Sequence, residues 1–203
     1  MARPGLVIFD MDDVLCRYEL GRRLRALGAI ANKNPRDIRA AIWDSGFEDD
    51  ADAGRYPESE TYLAEFSNRL GHELSREQWI AARKVSMTPD TDVLALAAHC
   101  AKTSRIALFT NNGPLLKESL AQIFPEAAAL FGQDCYCPYE FGVKKPDPAV
   151  YLKLLARLGM EARSAWFIDD KKSNVEGARI AGLAAHHFTH YHRLAKAAAE
   201  LGF

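Results

Sequence analysis

No stretch of this chain is apolar for the roughly 18 residues that a membrane-crossing helix needs, so no membrane partner is expected. Neither charge prevails: 26 Lys and Arg face 27 Asp and Glu, a formal net charge of -1. Nucleic acid and anionic bilayers therefore gain no electrostatic hold, and no nucleic-acid partner is expected. Cysteine is scarce. Cys16, Cys100, Cys135 and Cys137 form no CxxC pair, which argues against a zinc or thioredoxin-type site, and all four read as reduced. Cys16 reads as a small buried hydrophobe. Met1-Ala2-Arg3-Pro4 leads straight into an apolar run without the pattern of a secretory leader, so a cytoplasmic location is expected. Internal repeats and low-complexity linkers are missing as well.

What is present suits a globular protein. Hydrophobic residues make up 48% of the chain and charged ones 26%, and 203 residues suffice for one α/β domain with an insertion. The organising stretch is Leu6-Val7-Ile8-Phe9-Asp10-Met11-Asp12-Asp13-Val14-Leu15. Its short apolar run reads as a buried parallel strand, with Asp10 at the carboxyl end where open α/β sheets bind ligands. Alternation gives Asp10 and Asp12 similar headings. Such a pair is able to hold a hard cation, or to divide the work of nucleophile and acid/base. An acidic turn facing water is the plainer reading of this stretch taken alone.

From residue 16 to about 89 the pattern reads as helical throughout. Leu20, Leu24 and Leu27 form one stripe that Gly28 ends, and Asn34-Pro35 is an N-cap followed by an N1 proline. Residues 43–54 read as a loop. Tyr62, Phe66 and Leu70 mark another helix, and Ser75 with Gln78 forms a capping box before Trp79 and Ile80. After Pro89, strands and helices alternate. Strands are expected at Arg105–Phe109, Asp134–Pro138, Ala165–Ile168 and Ala185–Phe188, which implies a parallel sheet with right-handed crossovers. The expected fold is α/β, a Rossmann-like doubly wound parallel sheet with a small all-helical cap inserted after the first strand. The core domain is 1–15 and 90–203; the cap domain is 16–89.

Polar groups recur at the strand ends: Asp10, Asp12 and Asp13, then Thr110, Asn111 and Asn112, then Lys144 and Lys145, then Asp169 and Asp170. In a parallel sheet these ends share one edge. A carboxylate nucleophile, an acid/base, a hydroxyl, a lysine and further carboxylates are what phosphoryl transfer requires.

These stretches, in order, resemble the haloacid dehalogenase (HAD) superfamily over the whole chain. Phe9 to Leu15 looks like its first motif, Leu108 to Asn112 its second, Lys145-Pro146-Asp147-Pro148 its third, and Trp166 to Ala178 its fourth in the paired-aspartate form. The insertion resembles the small helical cap of subfamily I, which includes glucose-1-phosphatase-like enzymes, β-phosphoglucomutases and the N-terminal phosphatase domain of soluble epoxide hydrolases. The resemblance implies a Mg2+-dependent phosphatase acting on a small phosphomonoester, such as a sugar phosphate, through an aspartyl-phosphate. It makes Asp10 the nucleophile and Asp12 the acid/base. Mg2+ is to be held by Asp10, the Asp12 backbone carbonyl and Asp170, with Asp169 binding directly or through water. Thr110, Asn111 and Lys145 are to grip the phosphoryl group, and Ser173 and Asn174 to support the metal loop. The alternatives are a 2-haloacid dehalogenase, a phosphomutase of the β-phosphoglucomutase type, and a non-catalytic sugar-phosphate binder.

Four finer readings complete the expectations. Lys145, held extended before proline, is preferred to Lys144 as the phosphate ligand. Asp13 stands where many HAD members carry glycine, and reads as a supporting position. His186, His187, His190 and His192 read as a surface turn rather than a second metal site. The acidic run Glu48, Asp49, Asp50 and Asp52 reads as solvated; facing the site, it would disfavour acidic leaving groups, with Arg55, Trp43 and Tyr56 as contacts. A monomer or a homodimer is expected.

Overall fold

The computed structural model describes residues 3–203. In chain order its elements are β1 (Leu6–Phe9), β2 (Cys16–Tyr18), α1 (Leu20–Ala31), α2 (Pro35–Ile42), α3 (Phe47–Asp52), α4 (Ser59–Leu70), α5 (Arg76–Lys84), β3 (Met87–Pro89), α6 (Thr91–Cys100), β4 (Arg105–Phe109), α7 (Pro114–Glu118), α8 (Leu120–Ile123), α9 (Pro125–Phe131), β5 (Cys135–Tyr136), α10 (Pro148–Leu158), β6 (Ala165–Asp169), α11 (Lys172–Ile180), β7 (Ala184–His187) and α12 (Tyr191–Glu200).

Five strands form one parallel sheet in the order β5-β4-β1-β6-β7. β1 is its centre because all four of its residues are apolar and fully buried. Alternation sends Val7 and Phe9 to one face, with Ile106, Leu108, Trp166 and Ile168 and the apolar sides of α6, α9 and α12. Leu6 and Ile8 go to the other face, with Ala107, Phe109 and Phe167, under Val150, Tyr151 and Leu154 of α10. Burying each large side chain contributes roughly 1.5–3 kcal/mol, so β1 is anchored from both faces. β1, β4 and β6 end together in register, Phe9 beside Leu108 and Ile168, and the polar residues that follow them meet at one edge.

The insertion is not helical throughout. β2 and β3 pair antiparallel, Cys16 with Pro89 and Tyr18 with Met87, so its two ends leave the sheet side by side. Runs of three residues are too short for periodicity to reveal. Between them α1 to α5 form the helical body, with α4 packed on α7 and α5 on α8. Gly28 does not end α1. The helix runs on to Ala31 and stops at Asn32 in the left-handed region, φ 52°. Gly28 is needed inside it because a Cβ there would meet the Lys33 carbonyl at 2.8 Å. The segment read as a loop contains α3, started by Gly46 and held by buried Phe47 and Ala51. The third core strand is cut to two residues because Pro138 opens a short 3-10 turn. The Asn34 N-cap and the Ser75–Gln78 capping box form as expected. Among the described residues, no helix is long and apolar enough to cross a membrane.

Candidate active site

β1 delivers Asp10 to the carboxyl edge of the sheet, its backbone N–H donating to the Ile168 carbonyl at 2.9 Å. β4 delivers Thr110, and β6 delivers Asp169 and Asp170. Carboxylate oxygens of Asp10, Asp169 and Asp170 come within 4.8 Å of one another. Among the described residues this is the one cluster of acidic, histidine or cysteine side chains that a metal ion would fit. The histidines near the C-terminus form no such group: His187 Nε2 bonds the Asp170 carbonyl at 2.8 Å, and His186 packs on Trp166.

Lys145 reaches this cluster. Its ammonium lies 2.9 Å from Asp10 Oδ1 and donates to Asp169 Oδ2 at 2.8 Å and to the Phe109 carbonyl at 2.9 Å. Two close approaches hold its loop there. The Asn111 side chain donates to the Lys145 carbonyl at 3.0 Å and accepts from its N–H at 3.3 Å. Gly177 lies so close beneath that a Cβ would come 2.0 Å from the Pro146 carbonyl, which is why α11 carries a glycine there. Lys144 points the other way and pairs with Asp49 of the insertion.

Asp169 is fully buried and its oxygens are committed. Besides Lys145 it accepts from Asn174 Nδ2 at 3.0 Å and from the Lys171 N–H at 2.8 Å. Ser173 is exposed and bonds none of these carboxylates. Asp13 adopts a left-handed backbone, φ 59°, a conformation that costs glycine least and aspartate little. Its carboxylate accepts from the Tyr18 N–H at 3.0 Å and so ties the turn to β2.

Burial, with Asp169 adding to it and Lys145 opposing, pushes the Asp10 carboxyl up to about 8. Burial followed by Asp169 raises Asp170 to about 6. Burial pulls Lys145 down, but Asp10 and Asp169 outweigh it and hold the lysine above its ordinary value. One lysine thus faces three carboxylates, and its ammonium, 2.9 Å from Asp10 Oδ1, is the one cation set against them. An all-oxygen donor set with excess negative charge fits a hard dication such as Mg2+. This fit has a measurable consequence. An unfolded aspartate titrates near 3.8, so between about pH 4 and 8 the folded metal-free protein holds more protons than the unfolded chain. Metal-free stability is therefore expected to fall as pH rises through that window. The rise in Tm on adding Mg2+ is expected to be larger at pH 8 than at pH 5.5. Equal rises at both pH values, in thermal melts, would contradict a site built from these carboxylates.

Two cavity-lining positions were not singled out in the sequence. Arg83 of α5 is 1% exposed, and its Nη2 donates to both Asp12 oxygens, at 2.6 and 2.8 Å. Arg23 of α1, also buried, lies over the rings of Trp43 and Trp79 at 5.2 and 4.9 Å. The signal was spacing: Arg83 is four residues after Trp79, and Arg23 is three after Leu20 and four before Leu27, so each stands in its helix's apolar stripe. Asn112 also bridges the site, its amide donating to Thr110 Oγ1 at 2.9 Å. The acidic run does reach the site, since Glu48, Asp49 and Asp52 line its cavity together with Trp43, but Arg55 and Tyr56 do not. The cavity, about 250 Å³, lies between the sheet edge and the helical insertion and opens to solvent.

Comparison with known proteins agrees with this architecture. The model of the haloacid dehalogenase-like hydrolase family matches residues 4–182. The chain is 30% identical over 193 residues to a protein named phosphatase MT3486 from Mycobacterium tuberculosis, covering 89% of this chain and 85% of that one. Its fold is similar to that of a HAD-like family hydrolase from Porphyromonas gingivalis, with a TM-score of 0.75, 23% identity and 91% of each chain covered. It is also similar to the HAD family enzyme BT-2542 of Bacteroides thetaiotaomicron, solved with magnesium and inorganic phosphate, with a TM-score of 0.77, 18% identity and 94% and 98% of the two chains covered. The chain is therefore an enzyme of the haloacid dehalogenase-like hydrolase family.

Proposed function

We propose that this enzyme is a Mg2+-dependent phosphatase that hydrolyses a small phosphomonoester through an aspartyl-phosphate. The observation that carries the reading is the clustering of Asp10, Asp169 and Asp170 around a buried lysine, with Asp12 directed into the same cavity. Asp10, Asp170 and the Asp12 backbone carbonyl would hold the ion. Asp169, its oxygens committed to Lys145, Asn174 and the Lys171 N–H, would meet it through water and keep the lysine in place. When bound, the ion supplies charge neutralisation for the nucleophile and the phosphoryl oxygens.

The chain's own groups do the rest. The Asp10 carboxylate attacks phosphorus, the P–O bond to the alcohol breaks, and Asp12 gives that oxygen its proton. Asp12 then takes a proton from water as the water oxygen attacks phosphorus, and Asp10 and inorganic phosphate are released. Lys145, Thr110 and the Asn111 backbone hold the phosphoryl oxygens. Residues 16–89 act as a cap domain over a core of 1–15 and 90–203. The cavity volume suits a metabolite of a few carbons, phosphorylated sugars and their derivatives among them.

Two rival readings fit less well. A haloacid dehalogenase has no task for a leaving-group acid or for the paired aspartates. A phosphomutase needs a cap base, and the insertion's one histidine, His72, lies in a surface groove of the cap and not among the residues lining the cavity. Phosphate release from a panel of small esters with Mg2+ tests the reading. Chloride release from 2-chloropropionate, without phosphate release from any ester, would replace it. Asp12→Ala is expected to slow alkyl phosphates roughly 10²- to 10⁴-fold. p-Nitrophenyl phosphate, whose leaving group needs no proton, should be slowed much less. Equal losses on both classes would remove Asp12 from the acid's role.

A further inference from the structure

Arg23 and Arg83 are among the most enclosed cationic side chains of the insertion, at 4% and 1% exposure, and both line the catalytic cavity. They share Tyr18: the Arg83 guanidinium lies 4.2 Å from its ring centroid, and Arg23 Nη1 is 3.5 Å from its hydroxyl. In the free enzyme Arg83 contacts Asp12 and Tyr18, and Arg23 lies between Trp43 and Trp79. Their donors are nevertheless not used up. Nε and Nη2 of Arg23 and Nε and Nη1 of Arg83 are buried with no hydrogen-bond partner. Buried guanidinium N–H groups left unpaired are costly; the Nε and Nη2 of Arg23 share one edge and match the two oxygens of a carboxylate or phosphate, while Arg83 adds single donors.

The nearby acids do not meet this need. Glu48 accepts from the Tyr62 hydroxyl at 3.1 and 3.2 Å and stays 4.0 Å from Arg23, while Asp49 is paired with Lys144.

We propose that Arg23 and Arg83 form an oxyanion subsite, so that the substrate's alcohol portion carries a second oxyanion, a carboxylate or a phosphate, a few bonds beyond the ester oxygen. This deepens the phosphatase reading and rests on it. The reach follows from the geometry, because Arg83 contacts Asp12, which serves the ester oxygen. A neutral sugar phosphate would leave the four donors unmatched. The arrangement also couples recognition to chemistry. In the free enzyme both Asp12 oxygens are occupied by Arg83 Nη2. A second oxyanion competes for that guanidinium and frees Asp12 to carry a proton to the leaving oxygen. Neutral esters are then penalised in kcat as well as in KM.

The experiment uses the full chain with Mg2+. Esters of two-, three- and four-carbon alcohols are compared, each ending in CH2OH, carboxylate or a second phosphate. The expected result is a kcat/KM at least about tenfold higher for one acidic series than for its neutral counterpart, with the favoured series telling carboxylate from phosphate. Arg23→Gln is expected to collapse that ratio toward unity, and Arg23→Lys to restore part of it. As a measurement independent of any variant, the acidic product alcohol of the favoured series is expected to inhibit the wild-type enzyme at lower concentration than its neutral counterpart. Turnover of all three series at similar kcat/KM would overturn this subsite while leaving the phosphatase reading intact. A wild-type preference that survives Arg23→Gln unchanged would overturn it too. No turnover of any ester, p-nitrophenyl phosphate included, would instead be the failure of the phosphatase reading.

Discussion

Asp10→Asn is expected to abolish ester hydrolysis, by on the order of 10⁴-fold or more in kcat, because it removes the atom that forms the covalent bond to phosphorus. The same change is expected to stabilise the protein in EDTA. Burial already drives Asp10 toward its neutral form, with a carboxyl titrating near 8, and asparagine imitates that form without requiring proton uptake. The gain at neutral pH is on the order of a few kcal/mol, and it should shrink as the pH is lowered toward 4. Mg2+ should then add less to the Tm of the variant than to that of the wild type, since one ligand has lost its charge. The three measurements belong together. An inactive variant with a higher metal-free Tm and a weaker response to Mg2+ marks Asp10 as a group whose burial costs stability and serves chemistry. An active variant would end the aspartyl-phosphate scheme, and an inactive, destabilised one would show only that the fold was damaged. Removing the metal from the wild type with EDTA should abolish turnover reversibly, Mg2+ restoring it.

Lys145→Met should be costly in both respects. The ammonium is fully enclosed, with the Phe109 and Phe167 ring centroids 5.6 and 5.3 Å away, and it touches Asp10, Asp169 and the Phe109 carbonyl. Its loss leaves buried carboxylates without their cation, a change that typically costs about 3–5 kcal/mol. For a chain of this size that corresponds to a fall in Tm of roughly 6–20 °C. Hydrolysis should drop on the order of 10²- to 10³-fold, because a fixed cation against the phosphoryl oxygens is lost. Mg2+ should stabilise the variant more than the wild type, since it then meets the same carboxylates with less competing positive charge. A Tm within 2 °C of wild type in EDTA, by the ~2–4 °C per kcal/mol expected at this size, would show that the lysine is not the counter-charge of this cluster. Lys145→Arg is not expected to rescue, because the planar fork is wider than an ammonium and the space between the two phenylalanine rings is filled.

The polar sheet edge was legible because each of its parts is local. An apolar run of four or five residues ending in a polar residue needs only its own composition to be read as a strand delivering that group to a sheet edge. β1 with Asp10, β4 with Thr110 and β6 with Asp169 were read in this way. Extended backbone before Pro146 was enough to prefer Lys145 over Lys144. Capping chemistry is equally local, so the starts of α2 and α5 followed from Asn34-Pro35 and from Ser75 with Gln78.

Packing between distant segments decided the rest. The β2–β3 ribbon joins residues some seventy positions apart and carries no pattern of its own. Asp169 and Asp170 are neighbours with the same side chain, yet buried Lys145 and Asn174 commit one while the other keeps free oxygens. Arg23 and Arg83 stand in apolar stripes that composition reads as core, and only the closure of the insertion on the sheet turns their guanidiniums toward Asp12 and the cavity. By itself the sequence determined which chemistry the sheet edge holds, because backbone alternation and strand ends are properties of a few consecutive residues. The tertiary structure alone decided what the cap presents to that chemistry, because burial of a charge is a property of everything packed around it.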